Sequence, residues 1–155
     1  MAKAIIDSPL GTIIITADGD RLLAVNIPGH GPPAELPAPG SVEAEAAAQI
    51  TAYFAGRLQQ FDLPLMPSMS ARGQALRAAI VAIRFGQTLS YGALARIAAS
   101  GARAIGQACS RNPFPIVVPC HRVLASGDKL GHYSAGQGLA TKAWLLDHEN
   151  GGRLL

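Results

Sequence analysis

The sequence predicts an α/β chain of the α+β kind, in which a small antiparallel sheet with one helix precedes a mostly helical half. Three observations carry that expectation. Residues 3–27 are apolar and β-branched runs cut by turn clusters, the pattern of short strands in series. From residue 70 onward the pattern changes to short stretches with apolar residues on one helical face, capped by serine or broken by glycine. Between them, Leu58 to Met69 is irregular and contains proline, which places a domain boundary there and divides the chain into 1–66 and 67–155.

Taken in order, Ala4-Ile5-Ile6 stops at Asp7-Ser8-Pro9-Leu10-Gly11, residues that favour a turn. Thr12 to Ala17 is continuous and β-branched, which reads as a well-covered strand. Asp18-Gly19-Asp20 supplies a hairpin turn and Leu22 to Ile27 a third strand. Residues 28–40 hold five prolines and three glycines and form a loop. Ser41 caps a helix that runs to Ala55; Glu43 and Glu45 lie in its first turn, where the helix dipole favours negative charge, and Gly56 stops it. Residues 71–84 place Leu76, Ile80 and Ile83 on one helical face, and Phe85-Gly86-Gln87 breaks the pattern. Ser90 caps a helix through Ala99, Gly101 breaks it, and Ala102 to Ser110 forms the next, so that helix, glycine-containing turn and helix make a helix-turn-helix pattern. Residues 111–137 read as loop with short strands around Cys120, and Leu139 to His148 as a last helix with Trp144 and Leu145 facing in.

Composition narrows the class. With 49% hydrophobic but only 5% aromatic residues, the core is built of Ala, Leu, Ile and Val. A formal charge of +3 and a pI near 9.2 fit a nucleic-acid partner, although many basic proteins bind none. Cys109 and Cys120 are too few for a disulfide framework, and no CxxC marks a zinc site. A nucleophilic thiol belongs in a reducing compartment. The N-terminus lacks a signal pattern and no apolar run approaches the length of a membrane span, so the expectation is a soluble, cytoplasmic protein, nucleoid-associated if prokaryotic.

The chemistry concentrates in Ile116-Val117-Val118-Pro119-Cys120-His121-Arg122-Val123-Leu124. Val117 and Val118 favour extended backbone, whereas Pro119 has no N–H for a ladder, so Cys120 belongs in an irregular turn within an apolar setting. A free thiol has a pKa of about 8.5 and only the thiolate is a good nucleophile, so an active Cys120 needs a nearby base or cation. Taken alone, the pair reads first as a small buried hydrophobe beside a structural histidine. Upstream, Tyr91 to Ser110 is poor in bulk, through Gly92, Ala93, Ala95, Ala98, Ala99, Gly101, Ala102, Ala104, Gly106 and Ala108. That composition suits either a tightly packed helix pair or close approach to DNA.

A wider series surrounds the pair: Asn112-Pro113 eight residues before Cys120, Pro119-Cys120-His121-Arg122-Val123, then Gly131-His132-Tyr133-Ser134, then Lys142-Ala143-Trp144-Leu145-Leu146-Asp147-His148-Glu149. In that order it resembles the O6-alkylguanine-DNA alkyltransferases, also called methylated-DNA–protein-cysteine methyltransferases, most strongly from Thr88 to Glu149. The resemblance implies a small N-terminal ribonuclease-H-like domain in a supporting role and a winged helix-turn-helix-like alkyltransferase domain. It implies direct reversal of DNA damage: O6-alkylguanine, and also O4-alkylthymine, is flipped out of duplex DNA and its alkyl group passes irreversibly to Cys120, in one turnover and without cofactor or metal. Extrusion is a chemical necessity, because O6 lies in the paired stack where a thiolate cannot attack in line.

The same resemblance assigns roles. Cys120 is the nucleophile, His121 takes its proton through a water, Glu149 orients the imidazole, and Asn112 braces the turn. Tyr91 donates to guanine N3 and helps turn the base. Ser134 lies near O6, Tyr133 walls the pocket, and the carbonyls of Cys120 and Val123 accept the exocyclic amine. The helix-turn-helix enters the minor groove, with Arg103, seventeen residues before Cys120, filling the gap left by the base. Ser90, Ala102, Gly106, Arg111 and Arg122 complete the DNA surface. The partner is double-stranded DNA and not a membrane; a monomer is expected, with cooperative binding on DNA open. Departures from the family pattern lie at 70–86, where Ser70 to Ala79 lacks an aromatic pair and Arg84 replaces a proline, and in the longer loop 134–141. The zinc ligands of some relatives' N-terminal domains have no counterparts, and Cys109 reads as a buried small residue. Rival classes are a lesion sensor that flips without reacting, a Cys-His hydrolase, and a plain helix-turn-helix regulator. Cys120 argues against the first, the missing signature against the second, and the Cys-His-Arg segment with Glu149 against the third.

Overall fold

The computed structural model describes residues 1–151. The chain divides into two compact units, one spanning Met1–Met66 and one beginning at Pro67.

In the first unit, β1 (Ala2–Ser8), β2 (Gly11–Asp18) and β3 (Arg21–Gly29) form an antiparallel sheet in the order β1-β2-β3. β1 runs on through Asp7 and Ser8, which pair with Thr12 and Gly11. The turn therefore tightens to Pro9-Leu10, with Ser8 Oγ accepting the Leu10 N–H at 3.0 Å. β2 is not covered on both faces as its continuous apolar run implies. Ile13, Ile15 and Ala17 are fully buried while Ile14 and Thr16 are half-exposed, the alternation of a sheet with one packed face. That face receives α1 (Val42–Phe54), which buries Ala46, Ala47, Ile50 and Tyr53. Ser41 caps the helix, its Oγ accepting the Ala44 N–H at 3.1 Å. At the other end Gly56 adopts φ +76°, which lets its N–H reach Tyr53 O at 3.0 Å and the Arg57 N–H reach Ala52 O at 2.9 Å.

The two irregular stretches of this unit cover the sheet edges. Ile5 and Glu35 exchange backbone hydrogen bonds of 3.2 and 2.9 Å along β1, and Leu22 bonds Pro64 and Met66 at 2.8 Å each along β3. Proline-rich chain thus shields the edge amides that would otherwise template aggregation.

The second unit begins with α2 (Ala71–Val81), capped by Ser70. The helix ends three residues before the spacing predicts, but Ile83 still packs inward with Leu76 and Ile80. α3 (Tyr91–Ile97) and α4 (Ala102–Ser110) pack on each other and on α2. The break between them falls at Ala99, which takes φ +51°, and not at Gly101, which serves as the N-cap of α4. The Ser100 N–H closes on Ala95 O at 2.8 Å, so an alanine fills a left-handed position that glycine normally occupies. A two-residue parallel pairing of β4 (Leu89–Ser90) with β5 (Val123–Leu124) ties the start of α3 to the segment after the Cys-His pair. α5 (Leu139–Glu149) closes the unit. Leu145 and Leu146 are buried there; Trp144, expected inside, is half-buried and stacks on His148 with ring centroids 5.1 Å apart. No helix among the described residues is long and apolar enough to cross a membrane.

Candidate active site

Between α4 and β5 the chain forms an irregular turn. Val117 and Val118 are not extended: residues 115–117 turn, and the Val118 N–H bonds Phe114 O at 2.9 Å. Pro119, at φ −82° and ψ +61°, is the centre of an inverse γ-turn closed by the Cys120 N–H on Val118 O at 2.8 Å. Cys120–Arg122 then makes one 3₁₀ turn. Ile116 is held at φ +75°, costly for a β-branched residue, and is 1% exposed. Asn112 holds the turn together. Its Oδ1 accepts the Phe114 N–H at 2.9 Å, and its Nδ2 donates to Val118 O at 3.0 Å and to Cys120 Sγ at 3.4 Å.

Glu149, at the end of α5, reaches the two residues after the cysteine. His121 Nε2 lies 2.6 Å from Glu149 Oε2, and Arg122 donates through Nε to Oε1 at 2.7 Å and through Nη2 to Oε2 at 3.0 Å. Arg122 Nη1 also donates to Ile83 O at 2.6 Å. Burial alone would raise the Glu149 pKa, but the bonds from His121 and Arg122 outweigh it and hold the carboxyl at about 2. Burial lowers the His121 pKa, against the opposing pull of Glu149. The imidazole is therefore neutral near pH 7. Because an ionised carboxylate only accepts, the single ring proton belongs on Nε2, which leaves Nδ1 as a bare acceptor. Nδ1 is buried and has no hydrogen-bond partner among the described residues.

The structure gathers Tyr91 and Tyr133 around Cys120 as well. Tyr91 is half-buried at the start of α3, and burial raises its pKa against the opposing influence of the His132 backbone. Burial also raises the pKa of Tyr133, whose hydroxyl is enclosed without a partner among the described residues. Gly131 has φ +74°, and a Cβ there would lie 3.3 Å from the Tyr91 ring, so the close fit calls for glycine. Val123 is fully buried and Ser134 is exposed.

On the helix-turn-helix, Ala102 and Arg103 are exposed on the first turn of α4, and Arg111 is exposed just beyond it. Ser90 is committed as the cap of α3, accepting the Ala93 N–H at 3.0 Å. A Cβ added at Gly101 or Gly106 would meet nothing within 4 Å, so packing within the helix pair does not require glycine at either place. Arg122 corrects its expected role. With its side chain 6% exposed and bound to Glu149 and Ile83 O, it braces the site from inside and offers no surface to DNA.

Two residues escaped the sequence reading. Lys142 is fully buried, and its Nζ donates to Val123 O at 2.7 Å, to Leu130 O at 2.5 Å and to His132 O at 3.0 Å. The motif around Trp144 contains it, but nothing in a sequence shows that three carbonyls converge there. Cys109 is not a fully buried small residue: it is half-buried, and its thiol lies near enough to that of Cys120 to affect its ionisation. The nearby Cys109 thiol, together with burial, raises the Cys120 pKa against the opposing influence of Asn112 and Lys142, so the nucleophile rests as a thiol.

Comparison with known proteins fits this arrangement. Residues 1–67 match the ribonuclease-like domain of 6-O-methylguanine DNA methyltransferase, and residues 72–151 match its DNA binding domain. The chain is 41% identical over 150 residues to the methylated-DNA–protein-cysteine methyltransferase of Mycobacterium leprae, covering 92% of this chain and 88% of the relative. It is 37% identical over 156 residues to the protein of that name from Methanosarcina acetivorans, covering 96% and 98%. Among solved structures, Mycobacterium tuberculosis OGT in complex with DNA superposes with a TM-score of 0.82 at 35% identity, covering 97% of this chain and 93% of that one. The chain belongs to the 6-O-methylguanine DNA methyltransferase family.

Proposed function

We propose that this protein repairs DNA by direct reversal, transferring the alkyl group of O6-alkylguanine, and of O4-alkylthymine, to Cys120 in a single turnover. The observation that carries the reading is the buried contact in which Glu149 holds the proton on His121 Nε2 and leaves Nδ1 of this residue, the one that follows Cys120 in the chain, as a bare acceptor. A resting thiol needs a base, and a bare, oriented imidazole nitrogen is one. His121 Nδ1 takes the thiol proton through a water. Cys120 Sγ then bonds to the alkyl carbon as the carbon–O6 bond breaks, and guanine leaves with the electron pair. The proton stays on the imidazole, paired with Glu149. Charge on the departing base is stabilised by the Tyr91 hydroxyl at N3 and the Ser134 hydroxyl at O6. The thioether is stable, so the protein is consumed, and no cofactor enters the reaction.

The same reading gives the helix-turn-helix to the DNA. The open surface at Gly101 and Gly106 lets backbone approach the minor groove closely, and exposed Arg103 can fill the space left by the flipped base. The Mycobacterium tuberculosis OGT structure in complex with DNA supports DNA as the partner. One protein per lesion is the expected stoichiometry, with cooperative binding along DNA an added mode.

The test is intact mass after incubation with a duplex carrying one O6-methylguanine, followed by peptide mapping. One methyl group on Cys120, saturating at one per protein and absent in Cys120→Ser, is the expected result. Tight lesion binding with no adduct would make the protein a sensor. Neither adduct nor lesion preference would overturn the reading.

A further inference from the structure

We propose that Cys109 and Cys120 form a reversible thiol–disulfide switch, closed by a low-molecular-weight disulfide, that takes the alkyl acceptor out of use without destroying it. The pair is built by the fold. Cys109 sits in the last turn of α4, and its carbonyl accepts the Asn112 N–H at 3.3 Å. The side chain of that same Asn112 donates to Cys120 Sγ at 3.4 Å. One residue thus ties both cysteines to a common frame, and their thiols are near enough that each perturbs the ionisation of the other. Both are free.

The two thiols are unequal in a way that suits exchange. Cys120 is 4% exposed, whereas Cys109 is half-buried and is the one a small reagent meets first. Cys109 is also the more acidic. The neighbouring Cys120 and the nearby Lys142 ammonium lower its pKa despite burial, and the thiolate is the attacking species. Cys109 sulfur attacks one sulfur of the small disulfide. That disulfide bond breaks, and the first small thiol leaves carrying the proton Cys109 lost. Cys120 sulfur then attacks Cys109 sulfur, the mixed bond breaks, and the second small thiol leaves with the Cys120 proton. Two protein thiols are oxidised by two electrons, and one small disulfide is reduced to two thiols. Excess dithiol reverses both steps. In a reducing compartment such a bond is transient, and it spares Cys120 the sulfinic and sulfonic states from which a nucleophile does not ordinarily return.

The consequence for repair rests on Cys120 being the alkyl acceptor; the disulfide itself does not. The full-length protein is incubated with oxidised glutathione, free thiols are blocked, and non-reducing peptide maps are compared with transfer to an O6-methylguanine duplex. Wild type should give a linked Cys109–Cys120 peptide and lose transfer in proportion, and dithiothreitol should restore it. Cys109→Ser, or Cys109→Ala if the serine variant folds poorly, should form no linked peptide and keep its transfer under conditions that close the wild-type pair. Glutathione on single cysteines with no linked peptide would overturn the proposal, as would equal loss of transfer in wild type and variant. A linked peptide in a protein that transfers nothing even when reduced would uphold the disulfide and remove the repair reading.

Discussion

The three-stranded sheet and the turn that carries Cys120 solve the same problem by opposite means. In the sheet, buried backbone groups pair with one another in a regular ladder from Ala2↔Ala17 to Ser8↔Gly11, and the edges are closed by backbone at Glu35, Pro64 and Met66. Each residue contributes a little, and apolar side chains of similar shape are interchangeable. Around the turn no ladder is available beyond the two residues of β5. Its polar groups are satisfied by a few side chains, near and far in the chain: Asn112 on Val118 O and the Phe114 N–H, Arg122 on Ile83 O, and Lys142 on Val123 O, Leu130 O and His132 O. A ladder spreads stability over many positions, whereas the turn concentrates it in groups that also set the chemistry.

Removing the carboxylate is the strongest way to break the comparison. Glu149→Gln strips the buried Arg122 of its counter-charge and His121 of its anchor, and should cost about 3–5 kcal/mol in denaturant unfolding, with a severe loss of methyl transfer. Acid should reach the same site reversibly. With Glu149 at about 2 when folded and an ordinary value of 4.5 when unfolded, the unfolded chain binds the extra proton, so roughly 3 kcal/mol of stability present above pH 4.5 is lost as pH falls toward 2. His121 acts in the same direction at higher pH, because its folded pKa lies below its ordinary value: stability declines as pH drops through the unfolded histidine range, and transfer falls once the imidazole is protonated. Stability curves and single-turnover rates against pH measure both. A flat acid profile down to pH 3 would contradict the Glu149 assignment.

Asn112→Ala should cost about 2–3 kcal/mol, since it orphans the Phe114 N–H and Val118 O, and should slow transfer more than its stability loss explains. The matching change in the sheet is Ile15→Val, fully buried but in a ladder; it should cost about 1 kcal/mol and leave the transfer rate per folded molecule unchanged. The smallest effect sharpens the reading of α4. Gly106→Ala should stabilise by up to about 1 kcal/mol, because a helical glycine is replaced where a methyl has room, and should weaken DNA binding measured by titration. Unchanged DNA affinity would move that surface away from the groove.

The contrast also explains what was legible. Ser41, Gly56 and Ser90 announced their helix ends because caps act within a few residues of themselves. β2 reads as a well-covered strand because Ile14 and Thr16 look no different in sequence from the residues that pack on α1. Val117 and Val118 have an extended preference that the turn overrides, since the bonds of Asn112 outweigh a propensity of less than about 1 kcal/mol. The resemblance puts Arg122 on the DNA surface, whereas burial against Glu149 takes it inside, and Cys109 reads as a buried small residue because nothing in a spacing of eleven residues brings two thiols together.

By itself, the sequence determined the order of strands and helices, the division of the chain near residue 66, and the motif series that names Cys120, His121, Asn112 and Glu149. Those properties depend on local backbone preference and on residue identity, which the chain carries wherever it goes. Tertiary structure decided the protonation states and the company each group keeps: the proton on His121 Nε2, Glu149 held at about 2, Lys142 caged by three carbonyls, and two thiols near enough to perturb each other. Burial and distance set those quantities, because desolvation and hydrogen bonding act only between groups that folding has brought together.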